Sequence, residues 1–215
     1  MRRVTQLLTK LEASPAAPLA VSLDLVKQQR RVSRMSSAMD DLFTLWIVGA
    51  TEYFQEQTGR QCVETPYQWQ LDCFPAVDRY IELPRPPLVA VLAVEYLADD
   101  GTWVTFDADN YTVHAPLGAH AEPGRIVLND GASWPTTIEQ DLSVRITFTC
   151  GYETVPSLIQ SCLLLLVGHF HRNDAAVVES SATLAELPLG ASTIIRAFQH
   201  SALRTQAPWE VPWRD

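Results

Sequence analysis

Residues 156–173 read PSLIQSCLLLLVGHFHRN, and the spacing within this stretch decides how the chain is put together. Ser157 is placed to cap a helix, and Gln160, three residues on, to close a capping box. Ile159, Cys162, Leu163, Leu166 and Phe170 then recur at helical spacing. Leu158, Leu164, Leu165 and Val167 occupy the other faces, so little of this helix is suited to water. The run is too short, and too interrupted by Gly168, His169 and His171, to cross a bilayer. His169, His171 and Arg172 fall in the last turn, where positive charge suits the helix dipole. Asn173 is placed as a left-handed cap. A helix that is apolar nearly all round must be covered by other elements or by other subunits.

Upstream of it, between residues 62 and 151, the period changes from helical to two. Tyr67, Trp69, Leu71 and Cys73 alternate with polar residues. Further short strands are expected over 80–83, 89–97, 103–106, 111–114, 125–128 and 142–149. Asp99, Asp100 and Gly101 form a hairpin turn signal. Pro84, Pro86 and Pro87 force a bend or an edge position. The loop 114–124, HAPLGAHAEPG, carries no apolar pattern and is mobile or an interaction loop.

Before this block, two helices are expected. Ser22 opens a short one over 23–32. Ser37 with Asp40 is a second capping-box signature, and the helix it opens runs to Thr58 and ends at Gly59. Met39, Leu42, Phe43, Trp46, Ala50, Tyr53 and Phe54 make its core stripe. Leu45 and Val48 lie off that stripe, as part of a wide buried face or as a subunit contact. In residues 1–20, an arm, Val4, Leu7, Leu8 and Leu11 are spaced for a marginal helix that needs a partner surface; a terminus without fixed structure is the other reading. After the apolar helix comes a long connection, then a last helix, capped by Ser192 and running from Thr193 to about Leu203. In the tail QAPWEVPWRD, Trp209, Val211 and Trp213 alternate and are suited to one groove.

The expected fold class is therefore α+β. A helical bundle of about four helices carries an antiparallel β-domain between helices two and three. The expected parts are 1–20 (arm), 21–61 (helical), 62–151 (inserted β-domain), 152–204 (helical) and 205–215 (arm).

Sixteen Lys plus Arg stand against 25 Asp plus Glu, a net charge of -9. That argues against a general nucleic-acid binder, which needs a basic footprint. It is compatible with a protein that DNA merely passes. The four cysteines, Cys62, Cys73, Cys150 and Cys162, form no CxxC pair and read as buried thiols of a reducing compartment. Residues 4–12 lack the apolar run of a signal peptide.

A search for chemistry returns little. His169 and His171 point about 200° apart on a helix and do not share a metal from one face. His114 and His120 have no neighbouring ligands at zinc spacing. Cys150 follows a strand, as a nucleophile would, but no histidine is placed beside it. No catalytic, cofactor-binding or metal residue is assigned, and no cofactor is expected.

Five segments in order carry a resemblance. They are VSLDLVKQQRRV (21–32), ATEYFQEQTGRQ (50–61, with Tyr53, Thr58, Gly59 and Arg60), IELPRPPL (81–88), EPGRIVLNDGASWP (122–135) and FTCGYETVPSLIQSCLLLLVGHFHRN (148–173). Together the chain resembles head–tail connector (adaptor) proteins of long-tailed phages, prophages and phage-like gene transfer particles. The resemblance implies a dodecameric ring in the virion neck, made in the bacterial cytoplasm, with no membrane. Its partners would be other copies of itself, the portal protein above, and a stopper or tail-completion protein. Double-stranded DNA would pass through the lumen without specific binding. Under this reading Leu45, Val48 and His169 are expected at the subunit interface. Trp209, Val211, Trp213 and Arg214 are expected on the portal. The competing expectations are a monomeric β-domain that binds a ligand or peptide, and a thiol hydrolase using Cys150.

Overall fold

The computed structural model describes residues 6–11, 18–33, 35, 37–172 and 188–199. Among them the fold is α+β, with four helices and antiparallel sheets. It divides into two compact units. One is built on residues 64–151 with the N-terminal strand, the other on the described residues of 18–63, 152–172 and 188–199.

The β unit is assembled round alternating sequence. Strands β1 (Gln6–Lys10), β2 (Thr65–Leu71), β3 (Tyr80–Glu82), β4 (Leu88–Leu97), β5 (Trp103–Thr105), β6 (Tyr111–His114), β7 (Arg125–Leu128) and β8 (Val144–Cys150) form two sheets. Their orders are β1-β2-β8-β4-β5 and β3-β7-β6. In β2, Thr65, Tyr67, Trp69 and Leu71 are buried while Pro66, Gln68 and Gln70 are not; β8 alternates in the same way. The register sets Tyr67 against Phe148 and Trp69 against Ile146, so both buried sets face one side. A slip of one residue would turn the whole set outward. Ile81, Ile126 and Leu128 of the other sheet join the same core, with Phe74 and Phe106. Trp134 stacks on Phe74 at 4.9 Å between ring centroids, and its indole N–H donates to the Asp78 carbonyl. The expected turn at Asp99–Gly101 joins β4 to β5, with Gly101 at a φ of 79° that favours glycine.

Strand β4 shifts register against β8 twice, between Leu88 and Ala90 and between Val91 and Ala93. Strand β5 pairs only with Glu95–Leu97 of β4, so the rest of that edge has no partner strand among the described residues. Bulges of this kind twist an open edge away from pairing.

The N-terminal stretch corrects the helical expectation. Leu7 and Leu8 lie in strand β1, antiparallel to β2, with Leu8 opposite Trp69 and packed on the core. The physical reason is the open edge of β2. Pairing with it satisfies backbone groups, whereas a short isolated helix satisfies none of β2's.

The helical unit contains α1 (Leu23–Arg30), α2 (Asp40–Thr58), α3 (Ser157–Arg172) and α4 (Leu189–Phe198). Ser22 caps α1 as expected, accepting from the Leu25 amide. Gly59 ends α2 at a φ of 70°. The Ser37 capping box does not form. Met39 holds the cap position, and the Asp40 carboxylate is taken 2.6 Å away by the buried Lys27 ammonium. The Ser157 box is also absent, because the Gln160 amide donates to the Val155 carbonyl instead. Helix α4 starts at Leu189, three residues before the expected cap. The Ser192 and Thr193 hydroxyls bond back to the Leu189 carbonyl from inside the helix.

Phe43, Ile47, Ala50 and Phe54 of α2 are fully buried, as are Ile159, Cys162, Leu163 and Leu166 of α3 and Phe198 of α4. Phe170 is only partly buried, and Val167 takes its place in the core. Arg60, on the loop after α2, donates through Nε to the Phe198 carbonyl and satisfies the end of α4. Val63 and Tyr152 bridge in parallel, and the Tyr152 amide bonds to the Cys62 carbonyl. The chain therefore leaves this unit and re-enters it at neighbouring points.

A Cβ at Gly124 would overlap the side chain of the buried Leu88. Gly124→Ala is expected to lower stability by about 1–3 kcal/mol, the usual cost of overpacking a core. Urea unfolding followed by fluorescence checks this, and an unchanged midpoint would contradict the close approach.

Candidate functional site

Among the described residues, those singled out in the sequence are not brought together into one cluster. Their chemistry is that of surfaces and of buried thiols. Leu45 and Val48 lie three residues apart on α2, so they share a helix face. They are 64% and 38% exposed. The wide buried face is thus excluded for them within the subunit. His169 sits on α3, partly buried and edge-on to Phe170. His171 lies elsewhere, stacked on Phe43 at 6.0 Å and edge-on to Trp46 at 5.5 Å. Trp209, Val211, Trp213 and Arg214 lie outside the described residues.

Cys150 ends β8 in the β core, and Cys62 and Cys162 lie in the helical unit; all three are fully buried. Cys73 is half-buried, against expectation. Removal from water disfavours the charged thiolate. Burial pushes the Cys62 and Cys150 thiols up to about 12, and Cys162 up to about 11. The Cys162 Sγ lies 3.7 Å from the Ala191 carbonyl. These are protonated packing groups at neutral pH, the opposite of an activated nucleophile.

Two further features of the β unit complete the survey. Arg145 holds Glu95 through two hydrogen bonds of 2.7 and 2.8 Å and lies 4.1 Å from the centre of the Trp103 ring. The hydrogen bond from Arg145 keeps the Glu95 carboxyl below its usual range. This cluster fixes the β4–β5 hairpin against β8. The loop between β6 and β7 turns at Gly118 and holds Leu117 almost fully in solvent. Among the described residues no group of three or more His, Cys, Asp or Glu is placed to hold a metal ion. No described helix is long and apolar enough to cross a membrane.

Sequence reasoning missed a second apolar surface. Leu158, Leu165 and Leu189 are exposed on α3 and α4. The signal was the seven-residue spacing of Leu158 and Leu165, hidden in a helix with leucines on every face.

The chain matches no family model, and none of the curated proteins matches it in sequence. Solved structures do match. A chain of the neck of an empty GTA particle, computed with C6 symmetry, is 17% identical, with a TM-score of 0.70 over 90% of this chain and 95% of that one. A chain of the virion of a native gene transfer agent particle is 18% identical, with a TM-score of 0.69 over 89% and 94%. A chain of the neck of a native GTA particle, computed with C12 symmetry, is 16% identical, with a TM-score of 0.65 over 90% and 94%. The fold of this chain is that of neck components of gene transfer agent particles, consistent with the phage connector resemblance carried by the five sequence segments.

Two measurements test the thiol assignment. Alkylation of the native protein is expected to modify Cys73 first and to spare Cys62, Cys150 and Cys162 until the chain unfolds, as read by peptide mass spectrometry. Rapid labelling of Cys150 would restore it as a nucleophile. The unfolded chain releases thiol protons from about pH 9, while the folded chain keeps them. Stability is therefore expected to fall as pH rises from about 9 towards 12, the value to which Cys62 and Cys150 are pushed. A melting temperature that is flat over that range would contradict it.

Proposed function

We propose that this chain is a structural head–tail connector, or adaptor, subunit of a phage or gene transfer particle. Twelve copies form a ring under the portal, extend the DNA channel and join the head to the stopper or tail. The observation that carries this is the fold similarity to neck chains, which spans nine-tenths of this chain and nearly all of theirs. The buried thiols support a structural role over a catalytic one.

In this reading the helices form a four-helix bundle, and residues 62–151 are a β-domain inserted between α2 and α3. Residues 1–20 and 205–215 are arms. Leu45 and Val48 on α2, with His169 on α3, belong to contacts between subunits. Exposed leucine and valine on a helix are covered at low cost by a neighbouring copy. The net charge of -9 suits a lumen that lets DNA slide. A negative wall repels phosphates and gives none of the counterion-release attraction of a basic groove. The tail with Trp209, Val211, Trp213 and Arg214 docks on the portal. Twelve such arms on one ring gain avidity even if each is weak.

Light scattering of the purified chain, alone and with the portal protein of the same genome, is the direct test. A ring-sized mass, or one copy bound per portal subunit, is expected. A single subunit that ignores the portal would overturn the reading and favour a monomeric ligand-binding module. Deletion of residues 205–215 is expected to abolish portal binding and leave the fold intact. Unchanged binding would remove the tail from the portal contact.

A further inference from the structure

The exposed face of α2 has a definite order. Asp41, Leu45, Val48 and Glu52 are all exposed and follow one another at i, i+4, i+7 and i+11. They form one stripe, acidic at both ends and apolar between. Leu45 is 64% exposed at its centre.

A second exposed surface of the same unit has the opposite order. On α3, Leu158, Leu165 and Arg172 are exposed and seven residues apart, so they share a stripe, with His169 between the last two. On α4, Leu189 and Arg196 are exposed at the same spacing. The two helices touch where these stripes run. A Cβ on Gly190 would meet the Leu165 side chain at 3.3 Å, and the Ala191 carbonyl faces Cys162. Going up α4 thus goes down α3, and the helices are antiparallel here. Arg172 lies past the Leu165 end of the leucines, and Arg196 falls level with Leu158 at the other end. Leu189, at the middle, is 87% exposed. The result is a patch that is apolar at its centre and basic at both ends.

We infer that these two surfaces are the two halves of one contact between successive copies of this chain. The Asp41–Glu52 stripe of α2 packs on the leucine patch of α3 and α4 in the next subunit. The matched order of charge argues for a second copy as the occupant. Acid–apolar–acid meets base–apolar–base, and like faces would repel. Because the two halves differ, the contact is heterologous, and repetition of it closes a ring or runs into a filament. The inference rests on the ring reading above. It divides the expected interface residues, with Leu45 and Val48 on one half and His169 on the other.

Two charge-reversed variants test it. Asp41→Arg with Glu52→Arg makes the α2 stripe basic. Arg172→Glu with Arg196→Glu makes the patch acidic. Each variant alone then sets like charge against like, and its mass by light scattering is expected to fall from the ring to the single subunit, with or without portal. An equimolar mixture is expected to recover the ring, with the two variants in equal numbers by native mass spectrometry. Recovery also proves that both variants fold. Leu189→Asp, at a side chain already in solvent, is expected to lose the ring while keeping the circular dichroism of the unaltered chain. If every variant assembles as the unaltered chain does, the contact lies elsewhere and the ring reading stands. If each variant folds but the mixture stays unassembled, the pairing of these two faces is wrong. If the unaltered chain itself never exceeds one subunit, alone or with portal, the ring reading falls and takes this contact with it.

Discussion

Strand β8 is hydrogen-bonded along both edges, to β2 and to β4, and every second side chain on it is fully buried. That double constraint sets the β unit. Pairing with β2 fixes which face of β2 is apolar, and so places Tyr67 and Trp69 in the core. Pairing with β4 meets the same requirement only through two shifts of register. The two sheets then share Ile146, Phe148, Ile126 and Phe106. Removing the alternation of VRITFTC would leave neither neighbour with a defined inward side.

The helical unit solves a different problem. Helix α3 is too apolar for its environment, and three other helices cover only part of it. Helices α1, α2 and α4 each pack against it, and Phe43 of α2 stacks on His171. Where α1 approaches, Gly168 leaves room for the Arg30 guanidinium, which a Cβ would meet at 2.8 Å. What remains uncovered is not scattered. It falls into stripes bounded by charge, a pattern that is costly to keep in water unless something else is meant to sit on it.

Much of this was legible in the sequence where the cause was local. The period of two in TPYQWQL and VRITFTC marked strands, and Ser22 and Gly59 marked helix ends, because each signal and its effect lie within a few residues. The signals that misled were those overruled from a distance. Ser37 and Asp40 have the spacing of a capping box, but Lys27 claims the carboxylate. Leu7 and Leu8 suit a helix or a strand equally, and only the unfilled edge of β2 decides. At the candidate interface, Leu45 and Val48 stood out because they broke a clean stripe. Leu158 and Leu165 did not, because in a run of leucines only the position of α4 determines which ones are left in solvent.

The bridge between Val63 and Tyr152 has an implication for how such a chain tolerates change. The points where the chain leaves the helical unit and returns to it lie one hydrogen bond apart. The chain between them begins and ends at one spot, and closing it imposes little on the helices, since loop entropy grows only slowly with length. A longer or shorter loop within the β unit therefore asks little of the helices that precede and follow it. Sequence drift is then free to run at different speeds in the two parts. That suits a chain whose backbone follows its structural neighbours over nearly its whole length while fewer than one residue in five is the same.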